Sequence, residues 1–338
     1  MNKDLLVKTA HAMVANGKGL LAADEGTSSI KKRFDAINVE NTETNRRDYR
    51  EFMFRASEPM QRDISGVILF DETIRQKAAD GTPLVKLIEA AGAIPGIKVD
   101  TSPVAMPGFP GEVVTSGLDG LEGRLADYFT LGARFAKWRA VIDIGSGIPT
   151  SANIQVNAQL LARYAALCQQ AGIVPMIEPE VLMDGDHSIE RCYDVTQHVL
   201  KTVYTELYHA RVFLEGTILK PNMAIPGKKH AHQASPEQVA EQTIRLFNNC
   251  VPVAVPGIMF LSGGQADVEA TANLNAINAK PLPWKVSFSY GRALQSAAQK
   301  AWSGNPANVK AAQAAFNHRA KMNRLAALGQ WSMAAEKA

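Results

Sequence analysis

The sequence predicts an α/β chain folded as a (β/α)8 barrel, with one helix ahead of the barrel and extra helices after it. Three observations lead there. Short β-branched apolar runs alternate with amphipathic stretches, the grammar of parallel strands covered by helices. The alternation occurs eight times along 338 residues. Nearly every apolar run also ends in a polar or charged residue, and a barrel of this kind gathers its active site at the carboxyl ends of its strands.

The elements follow in order. Asn2 can cap a first helix that ends near Gly17. The strands of the predicted TIM barrel are Gly19–Asp24, Gly66–Asp71, Ile94–Asp100, Trp138–Ile144, Ile173–Glu180, Thr217–Asn222, Gly257–Ser262 and Lys285–Tyr290. Ser151 to Ala171 carries apolar residues at helical spacing, and Gly172 suits its end. Ser235-Pro236-Glu237-Gln238 combines a serine cap, a proline at the first helical position and a glutamine three residues on. Asn305-Pro306 opens a helix running through Lys310, Ala314 and Arg319 towards Gly329. No linker or low-complexity segment divides the chain, so residues 1–338 are read as one domain. An open doubly wound sheet is the alternative, but no G-x-G-x-x-G fingerprint follows the first strand.

Composition narrows the function. Thirty-six Lys and Arg face 33 Asp and Glu, so no global field points to nucleic acid or to a membrane surface. The longest apolar stretches, Gly66–Phe70 and Val251–Leu261, are too short or too interrupted to span a bilayer. Met1–Leu6 lacks the apolar core of a signal peptide. Cys168, Cys192 and Cys250 are odd in number and widely spaced, which argues for a reducing, cytoplasmic setting rather than a disulfide framework.

The chemistry centres on Lys220. The run Val212–Asn222 reads as a buried strand with Lys220 at its carboxyl end, stopped by Pro221. Burial disfavours the charged form of an amine, and a neutral amine can attack a ketone to form a Schiff base. The plainer reading is a strand-end lysine snorkelling to solvent. The other strand ends weigh against it: Asp24, Asp71, Lys98 with Asp100, Glu178 with Glu180, Ser262 and Ser289. Glu178 and Glu180 are two apart and share a strand face, as do Lys137 and Arg139. Two charges of each sign facing inward can tune a carboxylate as an acid/base beside an electrophilic lysine. Lys137 and Arg139 nevertheless fall before or early in the predicted fourth strand, not at its end.

Two anion sites flank this cluster. Leu261-Ser262-Gly263-Gly264-Gln265 and Ser289-Tyr290-Gly291-Arg292 follow strands seven and eight, where backbone amides, hydroxyls and a guanidinium can hold a phosphate. Ser28-Ser29-Ile30-Lys31-Lys32-Arg33, with Lys98, offers a second site across the mouth. A Lys-Lys-Arg run can equally be a solvated helix face. Two phosphate sites around a Schiff-base lysine imply a substrate phosphorylated at both ends with a carbonyl between.

These residues closely resemble the class I fructose-1,6-bisphosphate aldolases, over almost the whole chain. Leu20-Leu21-Ala22-Ala23-Asp24-Glu25, Gly96-Ile97-Lys98-Val99-Asp100, Phe135-Ala136-Lys137-Trp138-Arg139, Glu178-Pro179-Glu180 and Leu214–Asn222 look like that family's motifs. So do Phe260–Gln265 and Phe288–Arg292. The resemblance implies reversible cleavage of fructose 1,6-bisphosphate to dihydroxyacetone phosphate and glyceraldehyde 3-phosphate, without metal or other cofactor, in a cytoplasmic homotetramer. It implies a Schiff base on Lys220, acid and base work by Glu178, deprotonation of the C4 hydroxyl aided by Asp24, and a supporting charge network of Lys137 and Glu180. It implies a C1-phosphate site of Ser262, Gly263, Gly291 and Arg292, to which Ser289 is adjacent, and a C6-phosphate site of Ser29, Lys98, Arg33 and Arg139.

There are departures from the family pattern. Gly26-Thr27-Ser28-Ser29 replaces the usual order of the C6-phosphate loop, and Asp143 stands where a lysine is common in the fourth strand. The sequence ends at Ala338 without the tyrosine-ended tail of animal members, so proton exchange on the enamine is expected to use another group or to be slower. A metal-dependent enzyme is disfavoured, since the seven histidines form no H-x-x-H or H-E-x-x-H pattern. Asp184-Gly185-Asp186-His187 is a fragment of a calcium-loop pattern and reads as a turn. A sugar-phosphate-binding protein that has lost catalysis is the non-enzymatic alternative. The presence of Asp24, Lys137, Glu178 and Lys220 speaks against it.

Overall fold

The computed structural model describes residues 1–337. Ten strands form: β1 (Gly19–Ala23), β2 (Ile64–Leu69), β3 (Ile94–Lys98), β4 (Ser102–Ala105), β5 (Val113–Ser116), β6 (Phe135–Ile142), β7 (Val174–Val181), β8 (Ile218–Leu219), β9 (Gly257–Phe260) and β10 (Lys285–Tyr290). Eight of them close a parallel barrel in the order β1-β10-β9-β8-β7-β6-β3-β2. The predicted (β/α)8 architecture is therefore present. β4 and β5 form a separate antiparallel hairpin between the third and fourth barrel strands.

Strand alternation sorts side chains inside and outside the barrel. Leu20 and Ala22 of β1, Phe135 of β6, Val174 and Met176 of β7, Ile218 and Met259 pack in one apolar cluster. Leu6, Ala10 and Met13 of the first helix, Lys3–Met13, join it, so that helix plugs the barrel floor. Asn2 caps it by accepting from Leu5 N at 3.1 Å, and it ends at Met13, before the predicted Gly17. Phe135 fills the barrel floor because two neighbours have no side chain. A β-carbon on Gly96 would stand 2.2 Å from its ring, and one on Gly66 3.0 Å. Alternate strand residues between these and the rim remain inward, and there they become charged.

The outer face of the strands packs against the helices. Ile177, Leu219, Ile258 and Trp138 belong to this second core. The Ser235 capping box forms as expected on the helix Pro236–Cys250. Thr150 caps the helix Ser151–Gln170, its side chain accepting from Asn153 N. Asn305-Pro306 starts a short 3-10 turn that runs into the helix Val309–Ala327.

Two strand predictions are corrected. The fourth barrel strand begins at Phe135, not Trp138, because Phe135 and Ala136 are as fully buried as the residues that follow. Asp143 lies beyond that strand and is exposed. The run Val212–Asn222 is not one strand. Leu214–Gly216 forms a 3-10 turn and only Ile218–Leu219 pairs as β8. Gly216 presses against Leu6, where a β-carbon would approach to 2.8 Å, so the chain must turn there over the plugging helix. Among the described residues, no helix is long and apolar enough to cross a membrane.

Candidate active site

Alternation along β6 carries the inward side from Phe135 to Lys137 to Arg139, and along β7 from Met176 to Glu178 to Glu180. The register sets Lys98 beside Lys137 and Arg139 beside Glu178. This resolves the position of Lys137 and Arg139: with the strand starting at Phe135, they stand at the third and fifth positions of an eight-residue strand.

Four groups meet at the centre. Glu178 Oε1 lies 3.1 Å from Lys220 Nζ, and Glu178 Oε2 lies 3.4 Å from Lys137 Nζ. Lys137 Nζ donates to Asp24 Oδ2 at 2.5 Å. All four side chains are nearly inaccessible, between 3 and 10 % exposed. Glu178 Oε2 makes no hydrogen bond, so its contact with Lys137 is one of charge alone and leaves a lone pair for a proton.

The electrostatics follow from this packing. Burial pushes the Glu178 carboxyl up, but Lys137, Lys220 and Arg139 together outweigh burial and hold it below the usual range. Burial likewise opposes the ionised form of Asp24, and Lys137 with Lys220 overcomes it, so its carboxyl sits at about 2. For Lys137 burial favours the neutral amine, yet Asp24 and Glu178 raise it above the ordinary lysine range. Lys137 is thus a fixed cation between two carboxylates, while among the described residues Glu178 is the one acid that Lys220 touches. The backbone at Lys220 is tied to β7, its own N–H donating to Ile177 O at 2.8 Å. Two residues on, Asn222 Oδ1 accepts from Val181 N at 3.0 Å and ties the segment to β7.

Arg139 pairs with Glu180 at 2.5 Å. Burial would lower the guanidinium, but Glu180 raises it above its ordinary value. Arg139 lines a cavity of about 660 Å³ with Ser29, Lys98, Arg124 and Tyr128. Lys98 pairs with Asp100 Oδ1 at 2.7 Å and also donates to the Asp100 carbonyl. Arg124 and the hairpin residues Ser102 and Pro103 were not anticipated from the sequence. The turn residues Pro107-Gly108 and Pro110-Gly111 between the two short β-branched runs were the signal for that hairpin.

Arg33 is not in this cavity. It forms an ion pair with Glu25 at 2.5 Å, and its Nη2 lies 3.4 Å from the point where a β-carbon on Gly291 would sit. The helix Thr27–Asp35 directs Ser29 to one side and the longer Arg33 towards β10, the other neighbour of β1. Lys31 of the same cluster is exposed and pairs with Asp35. Asp71 starts a short helix at the rim, half exposed, and accepts from Tyr128.

Opposite the cavity, Ser262 and Ser289 are buried, and Ser289 Oγ has no hydrogen-bond partner. Gly263 and Gly264 adopt φ of 60° and 100°, conformations that suit glycine. Asn273 donates to Gln265 at 2.7 Å, and Gln265 donates to the Ser262 carbonyl at 3.1 Å, fixing that loop from behind. Gly291 precedes the helix Arg292–Trp302 and brings no side chain to cap it, a helix start that suits an anion. Among the described residues, no group of three or more His, Cys, Asp or Glu is placed to hold a metal ion.

Comparison with known proteins agrees with this geometry. The family model for class I fructose-bisphosphate aldolase matches residues 5–338. A probable class 1 fructose-bisphosphate aldolase from Xanthomonas campestris is 56 % identical over 98 % of this chain and 99 % of its own length. Fructose-bisphosphate aldolase from Echinococcus multilocularis is 53 % identical over 96 % of this chain and 90 % of its own. A solved structure of fructose-bisphosphate aldolase from Plasmodium falciparum, in a ternary complex with TRAP and a small-molecule inhibitor, superposes with a TM-score of 0.96. It is 47 % identical and covers 97 % of this chain and 95 % of that one.

Proposed function

The chain belongs to the class I fructose-bisphosphate aldolase family, and from that premise we propose how its barrel mouth performs the reaction. It is a carbon–carbon lyase acting on fructose 1,6-bisphosphate. Lys220 attacks the C2 ketone after giving a proton to Glu178, the one acid within 3.1 Å. Glu178 returns a proton to the carbinolamine hydroxyl, which leaves as water, and an iminium remains on Lys220. Asp24 takes the C4 hydroxyl proton. The C3–C4 bond breaks and its electron pair passes to the iminium nitrogen, giving an enamine. Glyceraldehyde 3-phosphate departs as the aldehyde. Protonation at C3 and hydrolysis of the imine then release dihydroxyacetone phosphate.

Lys137 holds Asp24 and Glu178 ionised at rest, so that each is ready to accept its proton. Ser262, Gly263, Ser289, Gly291 and Arg292 serve the C1 phosphate, and Arg33 is assigned to this end by its position beside Gly291. Ser29, Lys98 and Arg139 serve the C6 phosphate, with Glu180 fixing Arg139. No metal or cofactor takes part, because the iminium is the electron sink. We assign the protein to the cytoplasm as a homotetramer, on family grounds.

The observation that carries this mechanism is Glu178 set between Lys220 and Lys137. Borohydride trapping with dihydroxyacetone phosphate in the presence of a chelator, followed by mass mapping, tests it. A reduced adduct on Lys220 is the expected result. An adduct on another lysine, or none while phosphate ligand still binds, would overturn it.

A further inference from the structure

Two loops outside the catalytic cluster are stitched together at the rim of the anion site. The residues following β8 pass along the segment following β7. Gly227 N donates to His187 O at 2.8 Å, Lys228 N to Met183 O at 2.7 Å, and Lys229 N to Gly185 O at 3.0 Å. Gly227 lies so close to Gly185 that a β-carbon there would stand 2.2 Å from the Gly185 carbonyl oxygen. Asp184-Gly185-Asp186-His187, a turn by sequence, is therefore one half of a loop pair. It fixes the backbone of Lys228.

The Lys228 side chain leads from this platform to the glycine turn after β9. The point a β-carbon on Gly264 would occupy is 2.5 Å from Lys228 Nζ and 3.0 Å from Arg292 Nη2. Two cations from different loops thus converge on one point beside Ser262 and Gly263. Like charges gathered so closely repel unless an anion lies between them. Among the described residues the one side-chain partner of Lys228 is the exposed carboxylate of Asp184, at 3.0 Å and with 63 % of that side chain accessible. So open a pair is weak and exchangeable.

Resting on the Schiff-base assignment above, we infer that Lys228 is a phosphate-binding residue for the ketone-side phosphate. It adds a second cation opposite Arg292, and Asp184 releases it when the phosphate arrives. The dianionic phosphate, with several acceptor oxygens, is the stronger partner for an ammonium. The contact lies at the solvent edge, so its contribution is moderate and falls with salt.

Steady-state kinetics in the condensation direction test this, with Lys228→Met and Asp184→Asn. Lys228→Met is expected to raise KM for dihydroxyacetone phosphate by about 3- to 10-fold at low salt. KM for glyceraldehyde 3-phosphate and kcat should stay within about twofold, since neither the other phosphate nor the reacting atoms are touched. Asp184→Asn is expected to lower KM for dihydroxyacetone phosphate, and Lys228→Arg to retain most of the wild-type value. An unchanged KM in Lys228→Met, or a rise confined to glyceraldehyde 3-phosphate, would overturn the inference. Borohydride trapping run in parallel separates the two failures. Trapping at Lys220 with unchanged half-saturation in Lys228→Met rejects only Lys228, whereas no adduct in the wild-type protein rejects the Schiff-base assignment itself.

Discussion

Glu178 Oε1 stands 3.1 Å from Lys220 Nζ, the shortest path for a proton between a nucleophile and an acid in this barrel. The same carboxylate keeps its other oxygen free of hydrogen bonds. Glu178→Gln preserves the shape and removes both the charge and the proton. The expected result is a fall in kcat of about 10²- to 10⁴-fold, the range for loss of a positioned acid/base, with KM changed much less. Steady-state rates with fructose 1,6-bisphosphate check this. Rapid-quench trapping should show adduct on Lys220 accumulating more slowly than in the wild-type protein. Equal trapping rates would reassign the dehydration step to another group.

Lys137 is the cation on which both inner carboxylates depend. Asp24 is held at about 2, below its ordinary 3.8, so its ionised form contributes stability that is complete above about pH 4 and lost as pH falls towards about 2. In Lys137→Met, burial remains and the principal opposing charge is gone, so that window moves to higher pH. Removing one partner of a buried pair costs about 3–5 kcal/mol. Urea unfolding at neutral pH is expected to show a loss of this order. The loss should shrink as pH is lowered through the raised carboxyl range. Lys137→Met combined with Asp24→Asn should recover part of the stability and none of the activity. A variant as stable as wild type at neutral pH would contradict the charge balance.

The parts of this molecule that the sequence makes legible are those where local pattern and tertiary role coincide. The eight barrel strands announce themselves because nearly every one is an apolar run ending in a polar or charged residue. Asp24, Glu178 and Lys220 are found for that reason. Lys137 is harder to place because Phe135 and Ala136, its strand neighbours, could as well have ended a helix. The segment before β8 misleads because Val212 and Leu214 are apolar to pack against the outer core, and Phe213 lies under Lys3 of the first helix, rather than to pair in the sheet. Arg33 is ambiguous in principle. A helix after β1 can address either neighbour of β1, and spacing along the helix does not say that Arg33 reaches the β10 side while Ser29 faces the β2 side, where β3 follows. Lys228 is silent in sequence because its meaning lies in a loop pair between residues more than forty apart.

Gly96 illustrates how much of the site rests on the barrel floor. Its missing β-carbon makes room for the Phe135 ring, which would be only 2.2 Å away. The ring sits directly beneath Lys137 on the inward side of β6. Gly96→Ala is expected to destabilise the fold by at least the 1–3 kcal/mol typical of overpacking, as measured by urea unfolding. Displacement of the ring should also lower kcat by disturbing Lys137. Adding Phe135→Leu relieves the clash, so the double variant should be more stable than Gly96→Ala alone. If it is less stable, the two residues do not share the floor in this way.

Lys98 tests the assignment of the two ends of the substrate. It lies in the cavity with Ser29 and Arg139, across the mouth from Arg292, and among the described residues its one partner is Asp100. Loss of a hydrogen bond to a charged group costs about 1.5–3 kcal/mol, which is roughly a 10- to 150-fold loss in kcat/KM. Lys98→Met should show that loss with fructose 1,6-bisphosphate and almost none with fructose 1-phosphate, which has nothing to offer at that end. Arg292→Met should impair both substrates alike, because both carry the C1 phosphate. The Lys98→Met profile therefore differs between substrates and the Arg292→Met profile does not. An equal loss on both substrates in Lys98→Met would mean that Lys98 acts on the central charge network near Asp24 and Lys137, to which it contributes across the β3–β6 pair, and that the C6 phosphate is held by Ser29 and Arg139 without it.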